Sequence, residues 1–578
     1  MKIANDKNTP PIVNYIHFLV IGILISFGCI IAQLIYLQLI SSFHLFQQSR
    51  RNYLRYAHVA SPRGNIFDRH GTLIATNRPL IRLVWNGSGN RTLSSEQEET
   101  LIFLASLFDL SEESQLLLKK SERKRARFVI HDQLSFQALG TILERFPEHN
   151  NLSLETHFQR FYPFGTTACH TLGYISDISR GQRGIMGLEK ICNSLLQGVS
   201  GQLLTTINSL GHVLSQEQIQ KTLMGDNVYT TLDMPLNRLA DEAFPEDAAG
   251  ALIVMDASTG ALRVVLSRPA FDPNIFIAPL SSATWQHLLE QKALLNRAFS
   301  ACYPPASLFK LVTLTAALDT GIISSQDTWH CLGYTTFRGR SYACNNHIAH
   351  GTVSIEQALA KSCNLPFFEI GRKIKINTLA QYAHWLCLGT RTSESLGDKQ
   401  GLIPTSQWKQ QLFGEPWWPG ETLSATIGQS FTLVTPLQIC RMIGAICQGY
   451  AVTPHWLAAT PIERSTLPIS PSILQIIKQY MRQVVLTGTG KSINVVEEMR
   501  VYAKTGTAQV CALKPAGSPP PQPHEQPHAW FAAHITYKQH DPIVLVIIIE
   551  HAGSSRVALG VAKKFLKQYQ HYLDATAP

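Results

Sequence analysis

The chain reads YPPASLFK from Tyr303 to Lys310, so that a serine and a lysine stand three residues apart at the start of an apolar segment. Prolines before the serine and Gly321 after the segment are typical of the two ends of a helix. On a helix, residues three apart lie on one face, about one turn from each other. A serine hydroxyl is a poor nucleophile until a base removes its proton, and a lysine serves as that base only if burial and nearby positive charge lower its pKa. The segment therefore predicts a nucleophile, Ser307, with Lys310 as its base.

Two further short motifs follow in the chain, Ser362-Cys363-Asn364 and Lys504-Thr505-Gly506-Thr507. The serine of the first motif can relay a proton, and its asparagine can hold Lys310 or a substrate amide. The lysine of the second motif supplies positive charge and attracts a substrate carboxylate, while its glycine leaves room for a close backbone approach. A tetrahedral intermediate needs two N–H donors, and Ser307 at a helix start and Thr507 on a strand are natural sources.

Each motif is weak on its own, because the same patterns occur elsewhere in the chain. Ser121 to Lys124 also reads S-x-x-K, and Ser88 to Asn90 and Ser492 to Asn494 also read S-x-N. A capped helix, a polar turn and a strand end would explain each piece without any chemistry. The ordered triple, with a helix after the first motif and a strand around the third, indicates an active-site serine acyltransferase.

The composition is that of a globular protein with two or more domains. The 578 residues are 45% apolar and 16% charged, which is enough to build cores and too little charge for a disordered chain. The formal net charge of +10 permits attraction to anionic surfaces. No basic run is interleaved with aromatic residues as a nucleic-acid groove would require, so no nucleic-acid partner is predicted.

The segment from Thr9 to Gln48 contains no Asp, Glu, Lys or Arg, and its core, Ile12 to Ile40, is long enough to cross a bilayer as a helix. A cleaved signal peptide is the alternative, but the apolar run is too long for one and no clear cleavage site follows it. We therefore expect residues 1–48 to form a short tail and a retained single transmembrane anchor. The two lysines before the span and the three arginines soon after it do not favour a cytoplasmic N-terminus by their count.

The rest of the chain divides into two predicted domains. Residues 49–240 show no catalytic cluster and are predicted to form a non-catalytic, elongated α+β domain, whereas residues 241–578 carry all three motifs. In the second domain the predicted strands are Ala251–Met255, Ala261–Val265, Val501–Val510, Ala529–Thr536 and Pro542–Glu550. This order predicts a five-stranded antiparallel sheet with a helical subdomain inserted between its second and third strands. The proline-rich segment Lys514–His528 is predicted to be a surface loop, and Gly560–Tyr572 an amphipathic helix.

At the level of these motifs the chain resembles class B penicillin-binding proteins, and the resemblance covers essentially its whole length. RGNIFDRHG, from Arg63 to Gly71, resembles the start of the pedestal domain in such proteins. Arg160–Gly165 and Gly187–Glu189 resemble two further pedestal motifs.

The catalytic part of the chain carries the rest of the resemblance. Asn296-Arg297-Ala298 followed by YPPASLFK resembles the family's NRA and YPPGSTFK motifs. Gly401–Thr405 with Trp408-Lys409, and Ala425–Gln429, resemble the elongation-type subgroup, penicillin-binding protein 2, more than the division type. Two departures lie beside the predicted active site: Ala306 replaces the usual glycine before the serine, and Cys363 lies inside the S-x-N motif.

The resemblance implies an α+β multidomain protein with one N-terminal transmembrane helix, an elongated pedestal domain, and a transpeptidase domain of the penicillin-binding and serine β-lactamase type. It implies a peptidoglycan D,D-transpeptidase that serves cell-wall elongation and shape maintenance and is inhibited by β-lactams. The donor stem peptide would lose its terminal D-Ala as Ser307 forms an acyl-enzyme, and an amine of a neighbouring stem would take the acyl group. Ser362 and Asn364 would complete the proton network, and Lys504-Thr505-Gly506-Thr507 would bind the substrate carboxylate and shape the oxyanion hole.

The resemblance also implies partners and a location. The partners would be peptidoglycan stem peptides, β-lactams, a membrane glycosyltransferase of the RodA type and other elongation-complex proteins. The anchor would lie in the bacterial inner membrane with the N-terminus inside, against the charge count, and the catalytic domain would be periplasmic. Hydrolysis at the same site, as in a carboxypeptidase or β-lactamase, is one alternative. A β-lactam receptor without enzymatic activity is another, but it would be expected to carry a cytoplasmic effector and several spans.

No cofactor is required for this chemistry, but Cys331, Cys344, His347, His350 and Cys363 crowd a short segment around the second motif. Four nitrogen and sulfur ligands suit a closed tetrahedral zinc site, and some elongation-type relatives are thought to carry zinc in this region. We expect Cys331, Cys344, His350 and Cys363 to be the ligands, with His347 in reserve. A Cys331–Cys344 disulfide and free buried thiols remain alternatives, because the spacing fits no standard zinc signature.

Overall fold

The structure is a computed structural model that describes residues 12–59, 61–147, 151–176, 182–208, 213–393, 396–494, 498–511 and 522–576. Up to residue 243 its elements are α1 Ile12–Ile35, α2 Ser42–Tyr53, β1 Leu54–Val59, β2 Ile66–Phe67, β3 Leu73–Asn86, α3 Ser95–Phe108, α4 Glu112–Arg123, β4 Arg127–His131, α5 Phe136–Arg145, β5 Leu152–Phe161, α6 Cys169–Leu172, α7 Gly187–Ile191, α8 Asn193–Leu196, β6 Gly201–Ile207, β7 Val213–Gln220, β8 Val228–Tyr229 and α9 Met234–Ala243.

The remaining elements are β9 Gly250–Asp256, β10 Leu262–Arg268, α10 Ser282–Glu290, α11 Lys310–Asp319, β11 Thr328–Cys331, β12 Tyr334–Phe337, β13 Arg340–Ala343, β14 Gly351–Ser354, α12 Ile355–Ala360, α13 Leu365–Lys373, α14 Ile376–Trp385, α15 Ser406–Phe413, α16 Pro419–Thr426, α17 Pro436–Gln448, β15 Tyr450–Val452, β16 Arg464–Thr466, α18 Pro471–Leu486, β17 Met499–Ala508, β18 His528–Tyr537, β19 Ile543–Ile549 and α19 Ser555–Thr576.

The chain divides into two compact units, each made of more than one segment. The first comprises residues up to 61, 79–158 and 199–224, and the second comprises residues 62–78, 159–198 and 225–578. The predicted domain boundaries at residues 48 and 240 stay a prediction.

The first unit begins with the apolar helix that the sequence predicts. Helix α1 continues through a π-helical turn, Tyr36–Ile40, and the span Tyr15–Ile40 has a mean hydropathy of 2.6 and is not buried in the structure. Within the described part of the chain it is the one helix long and apolar enough to cross a membrane. The same unit contains the antiparallel sheet β1-β6-β7 and a small core in which β3, α3, α4, β4 and α5 bury residues such as Trp85 and Leu104.

The three pedestal-like motifs meet inside the second unit at one buried ion-pair cluster. The Glu189 carboxylate accepts hydrogen bonds from Arg63 Nη2 at 2.8 Å and from Arg160 Nε at 2.6 Å. The Tyr162 hydroxyl donates to the same carboxylate at 3.2 Å. Because all four side chains are buried, each charge depends on these partners.

The second unit is built on a five-stranded antiparallel sheet in the order β10-β9-β19-β18-β17. The hairpin between β9 and β10 forms where Asp256 Oδ1 accepts from the backbone N–H groups of Ser258 and Thr259, at 2.9 and 3.0 Å, and Gly260 takes a φ of 84°. Every residue of β19 is buried. Its alternate side chains belong to two different cores, one shared with α17 and the other with α19. This explains why β19 is a continuous apolar run.

The segment between β10 and β17 holds the helices α10 to α18 and several short hairpins. The predicted sheet, its strand order in the chain and the inserted helical subdomain are therefore confirmed. Of the predicted proline-rich loop, residues 514–521 lie outside the described residues, and His528 is already part of β18.

Candidate active site and metal cluster

Ser307 lies in a short 3-10 turn, Ala306–Leu308, that precedes α11 directly. The α-helix thus begins at Lys310 rather than at the serine. The Ala306 N–H donates to the Gly428 carbonyl oxygen at 3.0 Å, and the Trp530 indole N–H donates to the Pro304 carbonyl oxygen, also at 3.0 Å. Ala306 has a φ of 48°, in the left-handed region. The turn is therefore held from two sides, one of them strand β18.

A hydrogen-bond network joins Ser307 to both motif lysines by way of Ser362. The Ser362 hydroxyl donates to Ser307 Oγ at 2.9 Å. It accepts from Lys504 Nζ at 3.1 Å and lies 3.4 Å from Lys310 Nζ. Lys310 Nζ also donates to Asn364 Oδ1 at 2.7 Å and to the Ser362 carbonyl oxygen at 2.8 Å. The five predicted catalytic residues are thus brought together in one place.

Both lysines are completely buried, and burial changes their acid strength. Burial lowers the pKa of Lys310 to about 8, while the nearby thiols of Cys363 and Cys344 act in the opposite direction. Burial, and after it the positive charge of Lys310, lowers the pKa of Lys504 well below its ordinary value. Of the two causes that the sequence argument named for Lys310, burial lowers its pKa, and a neighbouring positive charge is not among the causes.

The third motif lies on β17, at the free edge of the sheet. Gly506 stands opposite Trp530, and a Cβ at this glycine would come within 3.2 Å of the Trp530 Cβ and 3.4 Å of the Pro305 carbonyl oxygen. The glycine is thus what allows the strand to approach the nucleophile turn so closely. Thr507 is partly exposed on the same strand, and an edge strand presents unpaired backbone groups to a ligand.

Several contacts of the site could not be inferred from its motifs. The Thr489 hydroxyl lies 2.7 Å from the Thr505 hydroxyl, and Asn364 Nδ2 donates to the Ala343 carbonyl oxygen at 3.1 Å. The only sequence signal for Thr489 is its place between two glycines just before β17. The sequence gives no signal for the Ala343 contact, because a backbone carbonyl is present in every residue.

Cys331, Cys344, His350 and Cys363 form a compact cluster behind the S-x-N turn. Their ligand atoms all lie within 4.8 Å of one another. Cys344 Sγ lies 3.6 Å from Cys363 Sγ and 3.5 Å from His350 Nδ1, and Cys331 Sγ lies 3.7 Å from the same nitrogen. His347 is exposed and does not belong to the group.

The cluster fits the donor set of a tetrahedral metal. Zinc–sulfur bonds of about 2.3 Å place two sulfurs of a tetrahedron about 3.8 Å apart, close to the Cys344–Cys363 separation. The Cys363 thiol beside it lowers the pKa of Cys344, and the Asn364 N–H donates to Cys344 Sγ at 3.3 Å. Both effects favour the thiolate of Cys344, whereas the same hydrogen bond and burial raise the pKa of Cys363, so the pair holds one proton that a metal would displace. The three cysteines are free thiols in the structure.

Comparison with known proteins identifies the family. The family model of the penicillin-binding protein transpeptidase domain matches residues 250–569, and that of the penicillin-binding protein dimerisation domain matches residues 58–230. The chain belongs to the penicillin-binding protein transpeptidase family. The three motifs of this penicillin-binding transpeptidase all lie inside the first match.

Similar proteins agree with this assignment over most of their length. Peptidoglycan D,D-transpeptidase MrdA of Haemophilus influenzae is 27% identical over 600 aligned positions, which cover 95% of this penicillin-binding transpeptidase and 90% of the relative. In a solved complex between penicillin-binding protein PBP2 and MreC from Helicobacter pylori, the similar chain has a TM-score of 0.78 and 25% identity, covering 90% of this chain and 99% of that chain. A chain of a solved peptidoglycan synthase complex that coordinates polymerization and crosslinking has a TM-score of 0.72 and 27% identity. The match covers 96% of this chain and 98% of that chain.

These matches confirm the predicted family, the fold class and the enzyme type. The protein is a serine-type transpeptidase of the cell wall with a dimerisation-type domain, a transpeptidase domain and one apolar N-terminal helix compatible with a membrane anchor.

Proposed function

We propose that this transpeptidase cross-links peptidoglycan stem peptides through an acyl-enzyme on Ser307. The observation that carries the proposal is the chain of hydroxyl and amine groups around Ser362. Ser362 Oγ is hydrogen-bonded to Ser307 Oγ at 2.9 Å and lies within 3.4 Å of both Lys504 Nζ and Lys310 Nζ. With Lys310 neutral and the Ser362 hydroxyl turned toward it, Ser362 would take the proton of Ser307 and pass its own proton to Lys310 as the serine attacks.

The proposed substrate is the D-Ala-D-Ala end of a donor stem peptide. Its terminal carboxylate would bind near Lys504 and Thr505, and its backbone would lie along the free edge of β17. Ser307 Oγ would attack the carbonyl carbon of the penultimate D-Ala, with the N–H groups of Ser307 and Thr507 stabilising the oxyanion. The terminal D-Ala leaves with a proton, and an amine of a second stem then attacks the ester and releases Ser307.

We further propose that the enzyme acts in cell-wall elongation at the bacterial inner membrane. The apolar span Tyr15–Ile40 would anchor the chain with its catalytic domain in the periplasm. A membrane glycosyltransferase of the RodA type and other elongation-complex proteins would be its partners. The solved assemblies of similar chains, one with MreC and one in a peptidoglycan synthase complex, support this proposal.

The third proposal is a structural zinc ion held by Cys331, Cys344, His350 and Cys363. The mutual distances of their four ligand atoms support it. The ion would supply no step of acyl transfer and would fix the backbone that carries Ser362 and Asn364.

The decisive experiment is labelling of the full chain in detergent with a fluorescent penicillin, followed by location of the modified residue by peptide mass. We expect the label on Ser307 and none in Ser307→Ala. Lys310→Ala should label about 10²- to 10⁴-fold more slowly, because a positioned base contributes about that much. The exposed neighbour Lys361 supplies the control, since Lys361→Ala should label at the normal rate. Undiminished labelling of Ser307→Ala would refute the assignment of the nucleophile.

A second experiment distinguishes acyl transfer to an amine from hydrolysis of the acyl-enzyme by the products that each reaction forms. The enzyme is incubated with a donor pentapeptide and an acceptor amine, and the products are measured by mass spectrometry. A cross-linked product supports the transpeptidase. Release of D-Ala with hydrolysed donor alone would favour the carboxypeptidase alternative.

A further inference from the structure

Glu550 follows β19 directly, and its carboxylate joins two residues that precede the nucleophile turn. Its Oε1 accepts a hydrogen bond from the Tyr303 hydroxyl at 2.7 Å and another from Arg297 Nε at 2.9 Å. The side chains of Arg297 and Tyr303 are buried, and that of Glu550 is 18% exposed. Burial would raise the pKa of Glu550, but the hydrogen bonds from Tyr303 and Arg297 outweigh it and hold this pKa below its usual value. The carboxylate is therefore a charged acceptor at the base of the turn.

Tyr303 also contacts two residues that flank the nucleophile turn, Val434 and Trp530. Its backbone N–H donates to the Val434 carbonyl oxygen and its carbonyl oxygen accepts from the Val434 N–H, both at 2.9 Å. Its ring lies edge-on to Trp530, with ring centroids 6.0 Å apart at an interplanar angle of 87°. Trp530 itself donates to the carbonyl oxygen of Pro304, the residue after Tyr303. A movement of the Tyr303 side chain would therefore be transmitted to the residues that lead into Ser307.

The turn between Tyr303 and Ser307 needs such a clamp. Ala306 is held at a φ of 48°, a backbone conformation that is unfavourable for a residue with a Cβ. Strained backbone of this kind persists only where surrounding contacts over-determine it. The hydrogen bond from Ala306 to Gly428 holds one end, and the Tyr303–Glu550 pair lies at the other.

We propose that Glu550 is a positioning residue for acylation, which acts through Tyr303 to hold the turn that presents Ser307. Among the residues that the structure describes, the Glu550 carboxylate forms hydrogen bonds with Arg297 and Tyr303 and with neither Ser307 nor the motif lysines. The proposal rests on the assignment of Ser307 as the nucleophile. It predicts that the rate of acylation, rather than the identity of the acylated residue, depends on the carboxylate.

The test measures the second-order rate constant of acylation of the full chain by a fluorescent penicillin. We expect Tyr303→Phe and Glu550→Ala each to lower it by about 10- to 100-fold, because small misplacements of reacting groups cost about that much. Glu550→Gln keeps an acceptor oxygen for the Tyr303 hydroxyl and should retain most of the rate. Rescue by this conservative variant is a readout that a loss of folding alone would not give.

The chain offers a matched control in the Glu189 cluster. Tyr162→Phe also removes one hydroxyl that donates to a buried, arginine-paired glutamate, but it leaves the nucleophile turn intact. Each rate is divided by the folded fraction, measured by circular dichroism at the assay temperature. Tyr162→Phe should then acylate at the wild-type rate.

Two results would overturn the inference. One is acylation of Tyr303→Phe and Glu550→Ala within twofold of the wild-type rate, and the other is an equal loss in Tyr162→Phe. If the wild-type label is not on Ser307, the proposed nucleophile fails instead. Peptide mass mapping of every variant therefore separates the two failures.

Discussion

Ala306, like Ser362 in the same active site, has its backbone in the left-handed region. Its φ of 48° costs about 1–2 kcal/mol for a residue with a Cβ. Ala306→Gly removes that strain but adds about 0.4–1 kcal/mol of unfolded-chain entropy, so we expect a net gain of about 0.5–1 kcal/mol. A thermal melt should show a transition a few degrees higher. Ala317→Gly, in the C-terminal half of α11, is the control and should lower the melting temperature. A melting temperature lowered equally by both glycines would refute the strain at Ala306.

The residues that carry the chemistry are readable from the sequence to a limited extent. Ser307 and Lys310 are predictable because a spacing of three residues puts two side chains on one face of a 3-10 turn as well as of an α-helix. Their partner Ser362 comes from another motif, so only the family resemblance relates the two in space. The contact between Tyr303 and Glu550 spans 247 positions of the chain, and nothing local to either residue indicates it. Pairings of this kind are set by the sheet, and the sequence shows no pattern for them.

At the scale of the element, β18 carries a buried histidine that should make stability depend on pH. Within the described structure neither ring nitrogen of His534 has a hydrogen-bond partner, and burial lowers its pKa to about 3. Below pH 6.5 the His534 imidazole is protonated in the unfolded chain but stays neutral in the folded chain, so the free energy of unfolding decreases as the pH falls. Between pH 7 and pH 5 this residue alone should cost about 2 kcal/mol.

His534→Phe tests this expectation, because it fills the site without a titratable group. Chemical unfolding at pH 7 and pH 5 should show that the variant loses about 2 kcal/mol less than the wild type over this interval. The exposed His287 provides the comparison, and His287→Phe should keep the full pH dependence of the wild type. Equal losses in His534→Phe and the wild type would mean that the buried imidazole is protonated in the folded state.

The short strands around the S-x-N turn should depend on bound metal for their stability. The four proposed zinc ligands come from the ends of β11, β13 and β14 and from the turn itself, so metal binding would be coupled to local folding. Cys344→Ser should lower the metal content and the melting temperature, and it should slow acylation without moving the label from Ser307. Elemental analysis of protein purified without chelator should find about one zinc per chain. No metal, together with a mass two hydrogens lower across Cys331 and Cys344, would establish the disulfide instead.

The same short strands could not be predicted from the sequence, whereas the strands of the five-stranded sheet could. The five sheet strands are predicted within a few residues, because four of them are mainly apolar with turn signals near their ends and β17 carries the Lys504-Thr505-Gly506 motif. The pairs β12–β13 and β11–β14 have only four residues in each strand and few apolar side chains, so periodicity does not reveal them. The cysteines and histidines of this segment indicate a cluster, but its geometry depends on these unpredicted pairings.

At the scale of the whole molecule, the apolar helix near the N-terminus should serve attachment rather than folding. The span Tyr15–Ile40 has a mean hydropathy of 2.6 and contributes nothing to the buried cores of either compact unit. A chain that begins at Arg50 should therefore remain soluble without detergent and react with a fluorescent penicillin at the rate of the full chain in detergent. Fractionation by ultracentrifugation and a labelling time course measure the two properties on one preparation. The full-length Ser307→Ala variant is the control, since it should stay in the membrane fraction without being labelled. A shortened chain that still sediments with membranes would show that a second surface of the protein binds the bilayer.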